Sequence, residues 1–579
     1  MAVHVNRIQW FDWTDEAFQR ATSENKPILL DISAVWCHWC HRLDQDTYSV
    51  PEIAEYIESH FIPIRVDTDK RPDINRRYNM GGWPTTAFLT PTGLVMGGGT
   101  YFPPEQMRQI LRDIYSVWEK TKGKQISLPI PEPEHIAVGE LSISIVEDVL
   151  GDIANNFDPV YGGFGSQPKF PNTDAHELVL LKYYYTGNRE ILNIATTTLQ
   201  NVGKSGLFDN EMGGFFRYST VRDWSIPHFE KMSEDNAKWL SLYLHAYQEL
   251  QDQFYATTAK GILEYVSTWL SDQENGCFYG SQDADEAYYS LSRDERLKRV
   301  APSVDKHIYT NWNALMISSF FEASAILGEP SIRNFALRSL DRLITLNYDG
   351  EHMRHYDNQP RQPAQLADQV QTARTLCDAY ELTGDRKFLQ KAENLVQPAV
   401  DKLYDKEHGG FFDAVIDPEA PGYLSKPTKP LDENSVACRV LIRLYYQTGD
   451  EHYRRLAEET LTRFVEIFPQ FSLMAADYAL AVDAFLNEPA IIRIVGSLEN
   501  PQTLRLLEEA NRIFEPRKII QVYDTDRDAR HVAQLGYLDL DQPKAFVCAG
   551  KICGNRITDP SKMAAELEGL RINRLTRHH

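Results

Sequence analysis

The sequence predicts a multidomain chain: an N-terminal α/β domain over residues 1–121, a central all-α barrel of six helical hairpins, (α/α)6, over 139–488, and a small C-terminal α/β module over 489–579. Three observations predict it. Before residue 121, short apolar runs alternate with helix-like segments, as in a sheet packed against helices. From about 140 the apolar period becomes 3.6, and twelve helices follow with alternating short and long connections. After Pro489 short strand-like runs return. Residues 122–138, with proline-rich Ile126-Ser-Leu-Pro-Ile-Pro-Glu-Pro-Glu134, read as a linker.

Composition bounds the function. A chain of 579 residues is too long for one ordinary domain. Its formal charge of −22 argues against nucleic acid and against anionic membrane surfaces as partners. Seven scattered cysteines do not make a disulfide framework. The N-terminus lacks the apolar core of a signal peptide, and the most apolar helical stretch, 314–327, is too short to span a bilayer. The expectation is a cytoplasmic protein with mostly free thiols.

In the first domain, Thr14 caps a helix over 15–25, and an apolar run from Pro27 to Ser33 reads as a buried strand. It leads into Trp36-Cys37-His38-Trp39-Cys40, and residues 41–48 suit a helix. Ser49-Val-Pro-Glu52 matches a capping box for a helix over 49–60. A strand at 61–67, a charged loop at 67–73, strands at 85–90 and 97–102, and a helix over 104–120 complete the domain.

The chemistry of this domain centres on the Cys-x-x-Cys pair. Cys37 at a helix start meets unpaired backbone N–H groups and the positive end of the helix dipole, which favour the reactive thiolate. Asp31, on the strand feeding the motif, is a candidate buried acid to carry a proton for Cys40. Trp83 precedes Pro84, the natural place for a cis proline. Cys-His-Trp-Cys-His also has the residue types of a zinc site, but no second Cys or His pair follows at finger-like spacing. A redox dithiol is favoured over a metal site or purely structural cysteines. No metal or cofactor is called for.

These residues resemble the thioredoxin family, in which a tryptophan precedes the first cysteine, an aspartate lies six positions before it, and a cis-Pro-Thr faces the disulfide; here they are Trp36, Asp31 and Pro84-Thr85. The resemblance implies that Cys37 attacks, Cys40 resolves, Asp31 handles the proton and Pro84 presents backbone to the substrate. His38-Trp39 replaces that family's Gly-Pro, so redox direction does not carry over.

The barrel helices are expected at 140–156, 172–186, 188–204, 233–253, 257–272, 311–327, 330–347, 366–383, 386–403, 432–448, 451–468 and 472–487. Short turns recur at Thr186-Gly-Asn188, Leu327-Gly-Glu329, Thr383-Gly-Asp385 and Thr448-Gly-Asp450. Three long connections carry Gly-Gly-Phe, at 162–164, 213–215 and 409–411. A closed ring sends every long loop to one end, where sites are built. Such rings resemble the six-hairpin glycosidases and sugar 2-epimerases, a likeness of fold alone. The acid/base candidates on this rim are His228, Glu230, Lys231, Asp235, Asp283 and Asp285. Trp312, Asn313, Arg354, His355 and Asp368, together with Trp83 of the first domain, are candidates for ligand binding. Helix starts also collect Asp, Asn and Ser simply as caps. In the C-terminal module, Cys548 and Cys553 read as ordinary structural thiols.

Taken together, Trp10, Trp13, Glu16-Ala-Phe18, Cys37–His41, Arg71-Pro-Asp73, Gly81-Gly-Trp-Pro84, Gly99–Pro103, Pro227–Met232, Asp283-Ala-Asp285 and Trp312-Asn313 resemble the family that includes spermatogenesis-associated protein 20. The resemblance implies a thioredoxin-like domain joined to a six-hairpin barrel. This chain is short after Asp285 and between Tyr78 and Gly81. Two functions stay open beside a non-catalytic scaffold. One is a thiol–disulfide oxidoreductase whose barrel takes a protein client or a carbohydrate-like ligand. The other is a sugar-processing enzyme in the barrel, regulated by the thioredoxin-like domain.

Overall fold

The computed structural model describes residues 8–121, 138–360, 362–534, 542–550 and 552–575. Apart from Val138, the expected linker lies outside the described residues. The chain forms two compact units. The first holds the described residues before 122 together with two segments from far along the sequence, 282–286 and 413–428. The second holds the rest.

The first unit is an α/β layer structure. Its sheet contains β1 (Ile28–Ser33), β2 (Ile62–Asp67), β3 (Thr85–Leu89) and β4 (Val95–Gly99), in the order β2-β1-β3-β4. β1 runs parallel to β2 and antiparallel to β3, and β3 and β4 form an antiparallel hairpin. β1 is apolar on both faces because it is covered on both: Ile28, Leu30 and Ile32 enter one core cluster and Leu29 enters the other. The helices are α1 (Asp15–Glu24), α2 (His38–Leu43), α3 (Pro51–His60), α4 (Pro72–Tyr78) and α5 (Pro104–Thr121). Thr14 caps α1 by accepting from the Ala17 N–H. α2 continues as a π-helical turn over Asp44–Tyr48, so Ser49 closes that helix instead of opening the next. The expected capping box is therefore not formed: α3 starts at Pro51 after Val50, and the Ser49 hydroxyl donates back to the Gln45 carbonyl. The charged loop expected at 67–73 ends in α4, a helix the sequence pattern did not announce.

The segment 413–428 packs on α4. Arg77 donates to both oxygens of Asp413, at 2.7 and 3.0 Å, and Tyr423 stacks on Tyr78 with ring centroids 5.2 Å apart. Gly422 sits at φ +61°, where a Cβ would lie 2.2 Å from the Tyr78 hydroxyl and 2.3 Å from the Gly93 carbonyl, so only glycine fits.

The second unit is built on a closed ring. Its helices are α6 (Ser144–Asn156), α7 (Thr173–Thr186), α8 (Arg189–Lys204), α9 (Ser233–Leu250), α10 (Gln253–Trp269), α11 (Thr310–Leu327), α12 (Pro330–Asn347), α13 (Leu366–Thr383), α14 (Arg386–Leu403), α15 (Leu431–Thr448), α16 (Glu451–Thr462) and α17 (Ala476–Leu486). α7, α9, α11, α13, α15 and α17 each pack on the next, and α17 returns to α7; the remaining helices pack outside. This is an (α/α)6 barrel. The short turns work by a shared device. Gly187, Gly384 and Gly449 end the inner helices in the left-handed region at φ +67°, +73° and +78°. Asn188, Asp385 and Asp450 follow at once and cap the outer helices through their side chains.

Four connections repeat a second device. The fourth residue of the inner helix clamps the backbone of the aromatic or Met residue in the preceding loop. Asn236 accepts from Phe215 N–H at 2.7 Å, Asn313 from Phe278 at 2.7 Å, Gln369 from Met353 at 2.8 Å and Asn434 from Phe411 at 2.7 Å. Each also donates to the same residue's carbonyl. α7 breaks the series. Its fourth residue, His176, is fully buried, stacks on Phe164 and has neither nitrogen hydrogen-bonded.

The C-terminal module contains β5 (Ala490–Val495), α18 (Pro501–Arg512), β6 (Lys518–Tyr523), α19 (Ala529–Gln534), β7 (Lys544–Ala549), β8 (Ile552–Cys553) and α20 (Met563–Leu575). Its sheet order is β6-β5-β7-β8, with β5 parallel to β6 and antiparallel to β7. Strand order, directions and helix connections repeat those of the first unit, with Asn500 as N-cap where the first unit has Cys37. The module closes the short-turn end of the barrel. Asn511 donates to the Glu381 carbonyl, Gln521 to the Tyr446 carbonyl, and Arg517 pairs with Asp483 at 2.6 Å. Cys548 and Cys553 form a disulfide, contrary to the expectation of two separate thiols, because the pairing of β7 and β8 sets them directly opposite each other.

Candidate functional site

The dithiol lies in the first unit, where β1 gives way to α2. Cys37 is the N-cap of α2 and is joined to Cys40 in a disulfide. Its sulfur accepts from the Cys40 N–H at 3.2 Å, and its carbonyl accepts from the N–H groups of Cys40 and His41, both at 3.1 Å. The motif is braced from below. Trp36 Nε1 donates to Asp69 Oδ2 at 2.6 Å, and Trp36 packs edge-on against Trp83 with centroids 5.8 Å apart. The Trp83–Pro84 peptide is cis. Trp83 donates from Nε1 to Asn75 Oδ1 at 3.2 Å. Val35 and Trp39 expose 44% and 47% of their surface, which gives the dithiol an apolar rim.

Asp31 is buried on β1 and paired with Arg65 at 2.7 Å; Arg65 also bridges Asp44 at 2.6 Å. Burial pushes the Asp31 carboxyl up to about 6, against the pull of Arg65. A carboxyl near 6 exchanges its proton close to neutral pH, which is what proton transfer to and from a thiol requires.

Asp283 and Asp285 follow directly on the short strand Ser281–Gln282. Their segment belongs to the first unit, where Asp283 Oδ2 lies 3.9 Å from His41 Nδ1.

In the second unit, His228 and Glu230 do come together. The short strands Tyr218–Ser219 and Pro227–His228 pair antiparallel, and His228 Nδ1 meets the Glu230 carboxylate at 2.7 Å. The imidazole stacks on Tyr218 with centroids 4.9 Å apart, so one face and one edge of the ring are fixed and Nε2 points away from Glu230. Asp235, at the start of α9, is pushed up to about 7 by burial and then by the neighbouring Glu234 charge. The barrel interior continues in charge: His245 Nδ1 lies 2.9 Å from Glu177, and Glu322 sits 3.7 Å from its Nε2.

Other candidates have structural partners. Lys231 is buried, pairs with Asp209 at 2.7 Å and donates to the Gly213 carbonyl at 2.8 Å. Lys169 does the same with Asp158 and Gly162, and Lys429 with Asp405 and Gly409. Lys231 is thus one of three equivalent staples. Asn313 is a backbone clamp. Arg354 donates to the Leu346 carbonyl at 2.6 Å. His355 and Asp368 form a buried pair at 3.0 Å, and Asp368 also accepts from the Asn311 N–H. Trp312 is packed against Tyr309 at 4.8 Å.

Residues 1–128 match the family Thioredox_DsbH, described as a protein of unknown function, DUF255. Human spermatogenesis-associated protein 20 is 26% identical over 706 aligned positions, covering 96% of this chain and 89% of the relative. The likeness to spermatogenesis-associated protein 20 thus runs over nearly the whole chain. Thioredoxin of Alicyclobacillus acidocaldarius is 28% identical over 107 positions, 17% of this chain and 93% of the relative. Among solved structures, cellobiose 2-epimerase from Bacillus thermoamylovorans superposes with a TM-score of 0.45 at 13% identity, over 55% of this chain and 85% of that one. Among the described residues, no helix is long and apolar enough to cross a membrane.

Sequence reasoning missed Arg65, Asp69 and the His41–Asp283 approach. Arg65 sits directly opposite Asp31 in the β1–β2 register, a relation visible only once the two strands are paired. The His245–Glu177–Glu322 cluster was missed because its members come from three different helices.

Proposed function

We propose that the chain is a cytoplasmic thiol–disulfide oxidoreductase acting on protein dithiols or disulfides. The observation that carries this reading is the Cys37–Cys40 pair at the start of α2, with Cys37 as the N-cap. In the reducing direction, the Cys37 thiolate attacks one sulfur of a client disulfide and releases the other as a client thiolate. Cys40, its proton passing to Asp31, then attacks the Cys37 sulfur. The Cys37–Cys40 disulfide forms, the second client thiolate leaves, and two electrons have moved to the client. The reverse sequence oxidises a client dithiol. Pro84 lends its backbone to the bound client segment, and the exposed Val35 and Trp39 add apolar contact. The test is to trap the mixed disulfide: Cys40→Ser should accumulate a covalent adduct with a disulfide-bearing peptide, and Cys37→Ser should not. Equal adduct formation by both variants would refute the assignment.

A second reading concerns the barrel, as a site for a carbohydrate-like small molecule. It is favoured by one observation, the His228 ring held between Glu230 and Tyr218; burial also pushes the Asp235 carboxyl, at the start of α9, up to about 7. Sugar binding followed by calorimetry should survive Cys37→Ser and fail in His228→Ala. Binding that survives both removes this reading.

A further inference from the structure

Two sequence motifs nearly 250 residues apart, Cys-His-Trp-Cys-His and Asp-Ala-Asp, belong to the same compact unit, and their meeting point is His41 with Asp283. His41 follows Cys40 directly, and its N–H donates to the Cys37 carbonyl at 3.1 Å. Its ring is approached from both sides. Nε2 lies 3.0 Å from the Val35 carbonyl, just ahead of the motif, and Nδ1 lies 3.9 Å from Asp283 Oδ2. Asp283 is itself fixed, since its Oδ1 accepts from the Ala284 N–H at 2.8 Å. Charges on the same elements include Arg42, paired with Asp46 at 2.7 Å, and Asp285 in the same segment as Asp283.

We infer that Asp283 is a positioning residue for the dithiol, acting through His41 to favour the Cys37 thiolate. This role rests on the proposed redox chemistry of Cys37 and adds a residue to that site. Nε2 faces a carbonyl and so carries a proton, and Nδ1 lies at ion-pair distance from a carboxylate, so a second proton taken up there makes the ring a cation beside Asp283. Such a ring is a cation one residue from Cys40 and bonded through its backbone to Cys37. A cation beside a thiol stabilises the thiolate. Asp283 taken alone is an anion and would do the opposite. The sign of its effect therefore tells whether it acts through His41.

The experiment measures the alkylation rate of reduced Cys37 by iodoacetamide against pH in the full chain, read by mass spectrometry of the Cys37 peptide. Wild type is compared with Asp283→Asn, His41→Gln and the double variant. Asp283→Asn is expected to slow alkylation severalfold at neutral pH and to move the half-rate point to higher pH. The double variant should be no slower than His41→Gln alone. Faster alkylation in Asp283→Asn, an unchanged rate, or the same slowing on the His41→Gln background would each overturn the inference. Far-ultraviolet circular dichroism of each variant separates a local effect from unfolding. Failure of the redox reading is distinguishable, because it appears as wild-type Cys37 and Cys40 that do not interconvert with glutathione, whatever the alkylation rates.

Discussion

Asp31 on β1 and Arg65 on β2 stand directly opposite each other in the parallel pair, and their side chains meet at 2.7 Å. The Asp31 side chain is 2% exposed, so its charge has little water to fall back on. Arg65 also bridges Asp44 and lies over the Trp10 ring, with its guanidinium carbon 4.3 Å from the centroid. Arg65→Met strands a buried carboxylate, a change that costs about 3–5 kcal/mol. Urea unfolding should register that loss, and adding Asp31→Asn should recover most of it. A loss below about 1 kcal/mol, within the range of a solvent-exposed pair, would contradict the account.

His176 marks the weak repeat of the barrel. Burial drives its imidazole from the ordinary range down to about 3. Between roughly pH 6.5 and 3 the unfolded chain takes up a proton there and the folded chain does not, so stability falls as pH falls through that window. His176→Asn removes this titration and restores the residue type that clamps Phe215, Phe278 and Phe411 in the other hairpins. The variant should be more stable by about 1 kcal/mol at neutral pH, with a larger gain at pH 5. Thermal melts at the two pH values check this; equal gains at both would show that His176 does not titrate as described.

Asn313 accepts from Phe278 N–H and donates to the carbonyls of Phe278 and Tyr309. Asn313→Ala leaves buried backbone groups without partners, at about 1–3 kcal/mol for each such group. Asn434→Ala, at the equivalent position, should lower the melting temperature by a similar amount. A variant of Asn313 that melts like wild type would return this residue to the ligand-binding candidates.

In the C-terminal module, Cys548 and Cys553 are joined across β7 and β8. Peptide mapping of protein purified with thiols blocked and without reductant should find these two cysteines linked. Cys277, Cys377 and Cys438, all buried, should be alkylated only after unfolding. Both partners of the pair appearing alkylated in the native protein would rule out the linkage under those conditions.

The barrel was legible where periodicity and glycine turns act locally. The helix expected at 330–347 is found at Pro330–Asn347, because proline at its start and the tyrosine-led loop at its end punctuate it. The Cys37 motif and the cis Pro84 were equally local. Roles that depend on remote partners were not. The Lys staples are hidden by unequal spacing, 11, 22 and 24 residues from Asp158, Asp209 and Asp405 to Lys169, Lys231 and Lys429. Lys231 therefore reads as one member of a polar cluster when seen in sequence. Asp283 follows a barrel helix in the chain, yet its segment packs with the first unit, a choice no local pattern records. The repeated topology of the C-terminal sheet escaped because Asn500 replaces the cysteine that makes the first copy recognisable.

The central claim is that Cys37 and Cys40 form a working redox couple. The most direct measurement is their reduction potential, titrated in glutathione buffers with Cys37→Ser as the blank. The account predicts a reversible two-electron transition between roughly −300 and −120 mV, the span of thiol oxidoreductases. A pair that stays oxidised or stays reduced across every buffer would contradict it and leave the barrel as the seat of any chemistry.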